Sequence, residues 1–216
     1  MTKLETSMHE HVAGRTLTHF PNDTPTAEIY TKAIEYRFNA QGFRCDNDCD
    51  RLDPHTANMY LGCSNTMGIG VNLHETWCQH VNDRVGGTML NMGQAGGAAE
   101  TCYRLAAHWI PIVRPRAVYM LSPPATRREF WTSDDRVDIM GPRSTIPKHM
   151  VAETEIQINR ERLVNAINFL CMTHSIPFNY VYFQPMFREW GMKMHDLARD
   201  GSHPGPNTHK AIAQHF

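Results

Sequence analysis

The chain has 216 residues, a length that favours one sizeable α/β domain or two small ones. Hydrophobic residues make up 41% and charged residues 20%, which excludes an intrinsically disordered chain. The 21 Lys and Arg residues nearly balance the 22 Asp and Glu residues, giving a net charge of −1. Because nucleic-acid-binding proteins normally carry a basic excess, we expect no nucleic-acid partner.

The N-terminal segment and the cysteines bear on the compartment. The first residues are polar and charged and contain no secretory signal, so we expect a cytoplasmic location. The six cysteines form no CxxC pair and are expected to be reduced, with a bridge between Cys45 and Cys49 left open as an alternative. The longest charge-free run, residues 163–187, is interrupted by asparagine, histidine and proline and therefore predicts no membrane span.

Residues 1–50 contain many turn formers and few long apolar patterns. A short edge strand is predicted over Ile34–Phe38, followed by a turn over residues 39–42. No composition shift marks a flexible linker behind this region. We therefore expect residues 1–50 to form an N-terminal extension that packs on a domain made by residues 51–216.

Strands and helices alternate from residue 57 onward. The first predicted elements are a strand over Asn58–Leu61, a helix capped by Asn72 and ended by Gly86-Gly87, a strand over Thr88–Met92, and a helix over Ala98–Trp109 stopped by Pro111. They are followed by a strand over Ala117–Leu121, a long irregular connection over residues 123–150, a helix over Glu153–Thr173, a strand over Phe178–Phe183, and a helix over Asn207–Phe216. Since parallel strands need helical crossovers, this alternation predicts a parallel sheet covered on both faces.

Reactive side chains follow the ends of these strands, where ligands bind in parallel sheets. Ser64 lies in a turn after the first strand, a glycine-rich turn over residues 93–97 follows the second, and Asp200 and His203 precede the last helix. A serine needs a base to become nucleophilic, the base needs an orienting carboxylate, and the oxyanion needs backbone N–H donors. The three turns supply one of each and predict a nucleophilic serine.

Three blocks of residues occur in order along these turns. The first is Gly62-Cys63-Ser64-Asn65-Thr66-Met67-Gly68, the second pairs Asn91 with Gly96, and the third contains Asp200, His203 and Pro204. They resemble the GDSxTxG block, the Asn and Gly block and the DxxHP block of the SGNH hydrolases, also called the GDSL esterase/lipase superfamily. Upstream, Tyr36-Arg37-Phe38-Asn39-Ala40-Gln41-Gly42-Phe43-Arg44 resembles the NxxGFR segment found before the hydrolase core in a subset of these proteins.

The resemblance implies an α/β fold for residues 51–216, namely a three-layer α/β/α sandwich with a parallel, flavodoxin-like sheet of about five strands. It also implies an ester hydrolase that forms an acyl-enzyme, in which Ser64 is the nucleophile, His203 the base and Asp200 the orienting carboxylate. The N–H groups of Ser64 and Gly96 are then expected to hold the oxyanion. The expected substrates are esters of short acyl groups, such as acetyl esters, on a small molecule or a carbohydrate. The chain is also similar to members encoded by bacteriophages.

The chain departs from the family pattern at two places. Cys63 stands where the family has aspartate, and we interpret it as a small buried side chain. The third block, Gly-x-Asn-Asp, is expected near Leu121–Ala125, where two prolines stand instead, so the family's oxyanion asparagine is missing. Losing one such donor lowers the rate by about 10²–10³-fold. Candidate compensating donors are Asn65, Arg127 and Arg128, and without them we expect weak turnover.

A second functional hypothesis is a weakly active or inactive protein with the same fold. Such a protein is expected to be a structural or binding component, for example of a phage virion, associating there or with further copies of itself. Histidine spacing at His9–His11 and among His203, His209 and His215 is not that of a strong metal site, so we expect no metal and no cofactor.

The connection after the third strand bears on the substrate. It begins at Pro123, at the carboxyl end of that strand, and is therefore expected to overhang the site. Its residues Phe130 and Trp131 form either a wall of the site or a small separate core. The first alternative predicts that short acyl esters react faster than long ones.

Overall fold

The computed structural model describes residues 10–17, 34–133, 137–140, 153–183 and 194–216. Its strands are β1 (Thr16–Leu17), β2 (Tyr36–Arg37), β3 (Ala57–Gly62), β4 (Thr88–Asn91), β5 (Ala117–Ser122), β6 (Arg128–Trp131), β7 (Val137–Met140) and β8 (Phe178–Tyr182). Its α-helices are α1 (Ser64–Met67), α2 (Trp77–Val85), α3 (Ala99–Val113), α4 (Glu153–Thr173) and α5 (Pro206–Ala213). Short 3₁₀ turns lie at Glu10–Val12, Cys49–Arg51 and Leu73–Glu75.

The central sheet is parallel throughout and has the strand order β4-β3-β5-β8. Counted among themselves, these strands run second, first, third and fourth, which is the flavodoxin-like order. In the middle of the sheet Met59 lies opposite Leu90 on one side and Val118 on the other. About five strands were predicted, and the described part of the chain contains four of them.

Helices cover both faces of this sheet, because successive side chains of a strand point to opposite faces. On β3, Met59 and Leu61 pack in a core with residues of α3 and α4, whereas Tyr60 packs in a second core with residues of α2 and α5. The predicted three-layer α/β/α fold class is therefore confirmed. None of the helices in the described ranges combines the length and apolarity that a bilayer span requires.

Most predicted elements exist within one to three residues of their expected bounds, and α4 has the bounds predicted for it. The helix expected from the Asn72 cap differs in one respect. The Glu75 carboxylate accepts from the Asn72 N–H at 2.8 Å, as the capping pattern predicts, but only a 3₁₀ turn follows. The α-helix itself begins at Trp77, where the Thr76 hydroxyl accepts from the Gln79 N–H at 3.3 Å.

The prediction that Pro111 stops the third helix is wrong, because α3 continues to Val113. A proline removes one backbone donor and crowds the preceding turn, which is less damaging when only two helical residues follow. Ile110 and Val113 are fully or almost fully buried in the main core. Arg114 then ends the helix in a left-handed conformation and donates to the Ile110 carbonyl. We infer that burial of these side chains outweighs the loss of one hydrogen bond.

The prediction that residues 123–150 form an irregular connection is wrong in part, because this segment contains two strands. Strands β6 and β7 pair antiparallel as a hairpin, with Phe130 opposite Asp138. The polar Arg128 and Glu129 at the start of β6 obscured the strand pattern in the sequence. The hairpin packs against α3. Phe130 is 40% exposed, and Trp131 lies beneath the Arg104 guanidinium, so these two aromatic residues do not share one core.

The described residues before β3 are closely packed on the sheet domain. Phe43, Cys45 and Cys49 belong to the main core, and all six cysteines of the chain are free thiols. The predicted edge strand is limited to Tyr36–Arg37, which pairs antiparallel with Thr16–Leu17. This segment therefore contributes side chains to the interior, and whether residues 1–50 and 51–216 are separate units stays a prediction.

Candidate active site

The turn that carries Ser64 begins where β3 ends. A Cβ atom on Gly62 would lie 2.8 Å from the Leu121 carbonyl, so only glycine fits between these two strands. Ser64 is then the first residue of α1, a single helical turn in which every side chain is buried. Cys63 is 1% exposed, in agreement with its interpretation as a small buried side chain. Among the described residues no group accepts from the Ser64 N–H, as is expected of a donor in the first turn of a helix.

The glycine-rich turn after β4 packs on α1. The Asn91 side chain donates to the Thr66 carbonyl at 2.9 Å and accepts from the Gly93 N–H at 3.0 Å. Gly93 adjoins the backbone so closely that a Cβ atom there would lie 2.9 Å from Met67 Cα. The first two sequence blocks are thus in direct contact.

Gly96 lies at the open side of this turn. Its φ of +80° favours glycine, and none of the described residues other than its chain neighbours lies within 4 Å of the position that a Cβ would take. In the described part of the chain no group accepts a hydrogen bond from the Gly96 N–H. This N–H is consequently available to an incoming ligand, as the oxyanion role requires.

Asp200 and His203 form a pair on the loop before α5. Asp200 Oδ2 contacts His203 Nδ1, and Asp200 Oδ1 accepts from the His203 N–H at 3.0 Å. The Ser202 N–H donates to Asp200 Oδ1 at 3.0 Å, and the Ser202 hydroxyl donates to Asp200 Oδ2 at 2.9 Å. Burial raises the pKa of Asp200, but the hydrogen bonds from His203 and Ser202 outweigh it and hold that pKa well below its usual range. The carboxylate is therefore ionised and fixes one ring nitrogen of His203.

The loop with Asp200 packs on the residues that follow the serine turn. The Arg199 N–H donates to the Gly70 carbonyl at 3.0 Å, and a Cβ on Gly70 would lie 3.4 Å from Asp200 N. Gly70 has a φ of +78°. This contact brings the third block to the same edge of the sheet as the first. No hydrogen bond joins Ser64 to His203 within the described ranges, and their approach to within about 4 Å stays a prediction.

The residues proposed to replace the missing asparagine differ in their surroundings. Asn65 is 7% exposed, within α1. The Arg127 guanidinium donates to the Gly97 carbonyl at 3.4 Å and thus lies at the glycine-rich turn. Arg128 contacts Glu100 at 3.2 Å, so its charge is already paired. The expected third-block position holds Pro124, which follows the buried end of β5.

Two buried residues near the site were not recognised from the sequence as parts of it. The Arg44 guanidinium donates to the carbonyl groups of Met67, Gly68 and Val71, which frame the segment after Ser64. The Tyr36 hydroxyl accepts from the Gly70 N–H at 2.7 Å. Both lie in the segment that resembles the NxxGFR motif, and that resemblance was the only signal for them.

His209 was considered as a metal ligand together with His203 and His215. It is fully buried, and its Nδ1 accepts from the Trp77 N–H at 3.1 Å. Burial, together with the neighbouring charges of His80 and Arg44, lowers the pKa of His209 to about 3. Within the described ranges no three His, Cys, Asp or Glu side chains are grouped as metal ligands. His9 lies outside the described residues.

Comparison with known proteins gives similarity in structure only. No protein-family model and no curated protein matches the sequence. A protein assigned to the lipolytic G-D-S-L family from Desulfitobacterium hafniense is similar over 74% of this chain and 97% of its own, with 12% identity and a TM-score of 0.41. A member of that family from Veillonella parvula is similar over 73% of this chain and 94% of its own, with 10% identity and a TM-score of 0.40. The structure of TesA is similar over 74% of this chain and 94% of its own, with 11% identity and a TM-score of 0.42. The first two of these structures are described as members of the G-D-S-L family.

Proposed function

We propose that the protein is a serine ester hydrolase that acts through an acyl-enzyme. The observation that carries the proposal is the Asp200–His203 pair on a loop that packs, through Gly70, against the segment following Ser64. A histidine with one ring nitrogen fixed by an ionised carboxylate has its other nitrogen free to act as a base. The same edge of the sheet carries free N–H donors of Ser64 and Gly96.

In the proposed reaction, His203 Nε2 takes the proton of the Ser64 hydroxyl as its oxygen attacks the ester carbonyl. The N–H groups of Ser64 and Gly96 bind the oxyanion of the tetrahedral intermediate. His203 then returns the proton to the leaving alcohol, and the acyl group stays on Ser64. Water, activated by the same histidine, releases the acid. Asp200 keeps the ring oriented through both steps and stabilises its positive charge.

Short acyl groups on a small molecule or a carbohydrate are the proposed substrates. We propose that Phe130, which is 40% exposed on the hairpin, limits the length of the acyl chain. A site bounded in this way hydrolyses 4-nitrophenyl acetate faster than 4-nitrophenyl octanoate. Faster turnover of the octanoate would contradict the short-acyl proposal. Because the third-block asparagine is missing, turnover of both activated esters is expected to be weak unless Asn65, Arg127 or Arg128 compensates.

Covalent labelling with a fluorophosphonate tests the proposal directly. The reagent phosphonylates an activated serine, so the wild-type protein becomes labelled at Ser64 and the Ser64→Ala variant does not. Ser122→Ala is the matched control, because Ser122 is a buried serine at the carboxyl end of β5 whose hydroxyl contacts the Pro123 carbonyl and not a histidine. Labelling that persists in Ser64→Ala, or none in the folded wild type, would contradict the proposed role of Ser64.

An inactive structural or binding protein is the second candidate function. The observation that favours it is the pair of prolines after β5, which removes the third donor of the family's oxyanion hole. In that case the wild type is not labelled and hydrolyses neither ester, although it unfolds cooperatively. The labelling experiment therefore separates the two candidates.

A further inference from the structure

Arg127 is a cation at the candidate site, and none of the carboxylates in the described residues pairs with it. Within the described ranges its side chain makes one hydrogen bond, from Nη1 to the Gly97 carbonyl at 3.4 Å. We propose that Arg127 binds an anionic group of the substrate, so that the enzyme prefers esters bearing a carboxylate or a comparable anion near the scissile bond. This inference rests on the proposed function and names the substrate class for it.

The position of Arg127 follows from the contacts of the glycine-rich turn. A Cβ on Gly97 would lie 3.5 Å from the Gly62 carbonyl, two residues before Ser64. The Gln94 N–H donates to the same Gly62 carbonyl at 3.0 Å. Since Gly97 directly follows Gly96, the guanidinium that contacts it lies beside the proposed oxyanion donors. An anion bound there is close to the ester carbonyl.

The charges around Arg127 are already neutralised in pairs. Arg104 and Glu129 form a bidentate pair with separations of 2.7 Å and 3.1 Å, and Arg128 contacts Glu100 at 3.2 Å. These pairs leave Arg127 as the arginine of this group whose charge is not compensated. A half-buried guanidinium presents several N–H donors in a planar arrangement that matches a carboxylate or phosphate group.

The backbone of Arg127 is held before any substrate arrives. Its N–H donates to the Pro124 carbonyl at 3.1 Å, which closes a turn directly after β5. Two residues later, the buried pair of Glu129 with Arg104 attaches β6 to α3. Because its backbone is anchored on both sides, Arg127 loses less conformational freedom when it binds an anion, and this favours affinity.

Matched ester pairs test the proposal. On the acyl side, the mono-4-nitrophenyl ester of adipic acid is compared with neutral 4-nitrophenyl hexanoate. On the alcohol side, 4-carboxyphenyl acetate is compared with its methyl ester. For at least one pair, Arg127→Gln is expected to lower kcat/KM for the anionic ester about tenfold or more beyond any change for the neutral one. The pair that responds shows which side of the ester carries the anion.

Two further variants make the result specific. Arg127→Lys keeps the positive charge and should retain much of the preference. Arg116→Gln is the control, because Arg116 makes a similar contact at the amino edge of the sheet, from Nη1 to the Val85 carbonyl at 3.1 Å. This variant should keep the wild-type ratio of kcat/KM between the anionic and the neutral ester. If Arg127 instead donated to the oxyanion, its loss would lower anionic and neutral turnover alike, and an unchanged ratio in both pairs would overturn the proposal. Absence of all turnover together with absence of Ser64 labelling would overturn the proposed function, and this inference with it.

Discussion

The serine turn and the β6–β7 hairpin lie at the same edge of the sheet but are attached to it by different forces. The serine turn is held by hydrogen bonds to its backbone, which Arg44, Tyr36 and Asn91 provide. The hairpin is held by ion pairs between side chains, of which Arg104 with Glu129 is the most deeply buried, at 5% and 4% exposure. The serine turn therefore depends on hydrogen bonding to its backbone, whereas the hairpin depends on the pairing of charges.

This difference indicates how each region tolerates change. Contacts to backbone carbonyls depend on the shape and reach of the donor, so a conservative replacement of Arg44 is expected to remove the donor of the Met67 or the Val71 carbonyl. A buried ion pair depends on charge balance, and removing one member leaves the other charge uncompensated. Substitutions in the two regions can therefore confirm or contradict the comparison.

Replacing Glu129 is expected to have the largest effect. Glu129→Gln leaves the buried Arg104 charge without its carboxylate and should lower the free energy of unfolding by about 3–5 kcal/mol, measured by urea denaturation. The double variant Arg104→Met/Glu129→Leu removes both charges and should recover most of the loss. A cost below about 1 kcal/mol for Glu129→Gln would mean that the pair does not hold the hairpin.

Replacing Arg44 tests the serine turn. Arg44→Lys keeps the charge, but one ammonium group cannot reach the carbonyls of Met67, Gly68 and Val71 together. Each carbonyl left unsatisfied costs about 1–3 kcal/mol, so we expect a loss of about 2–3 kcal/mol together with slower labelling of Ser64. Arg37→Lys is the control, because Arg37 contacts Asp46 on the surface. Equal stability of the two variants would show that charge, not reach, is what Arg44 supplies.

The packing between Gly70 and the Asp200 loop gives a smaller effect. In Gly70→Ala the new Cβ would lie 2.7 Å from Ala198 Cβ, and the overpacking should cost about 1–3 kcal/mol and move Asp200 away from Ser64. Gly14→Ala is matched in backbone, since Gly14 has a φ of +68° but no described residue other than its chain neighbours within 4 Å of its Cβ position. If both variants lose equal activity, contact with the Asp200 loop does not position the site.

The buried His209 gives the smallest effect, and it depends on pH. Its pKa of about 3 in the folded protein lies below the ordinary value of 6.5, so the unfolded chain binds a proton that the folded one does not. The stability from neutral His209 is complete above pH 6.5 and falls by about 1.4 kcal/mol per unit as pH decreases toward 3. His209→Asn keeps an acceptor for the Trp77 N–H and should lose about 1 kcal/mol less than the wild type between pH 7.5 and 5.5.

Urea denaturation at the two pH values measures this difference. The exposed His55, whose φ of 63° asparagine also adopts, provides the control variant His55→Asn. It should retain the pH dependence of the wild type. An unchanged dependence in His209→Asn would contradict the assignment of a buried neutral imidazole.

Local patterns predicted much of this protein. Alternating apolar positions and turn residues located the strands and helices because these signals act over a few residues, and the order of strands and helices predicted the parallel sheet. The hairpin at Arg128–Met140 was missed because the polar Arg128 and Glu129 obscure its strand pattern, and because Arg104, the partner of Glu129, lies 25 residues away in the sequence. Pro111 likewise stays helical only because its neighbours are buried.

At the candidate site, the sequence by itself determined which residue types occur at the strand ends, and the blocks around Ser64 and His203 indicated a nucleophile and a base. Only the tertiary structure decided how the chain uses its histidines: His203 pairs with Asp200, whereas His209, six residues later, is buried neutral against the backbone of α2. It also decided that Arg44 donates to the backbone carbonyls after Ser64 and that Arg127 contacts the Gly97 carbonyl. These assignments depend on burial and on contacts between distant segments, which set the charge and hydrogen bonding of a side chain and are not determined by its neighbours in the sequence.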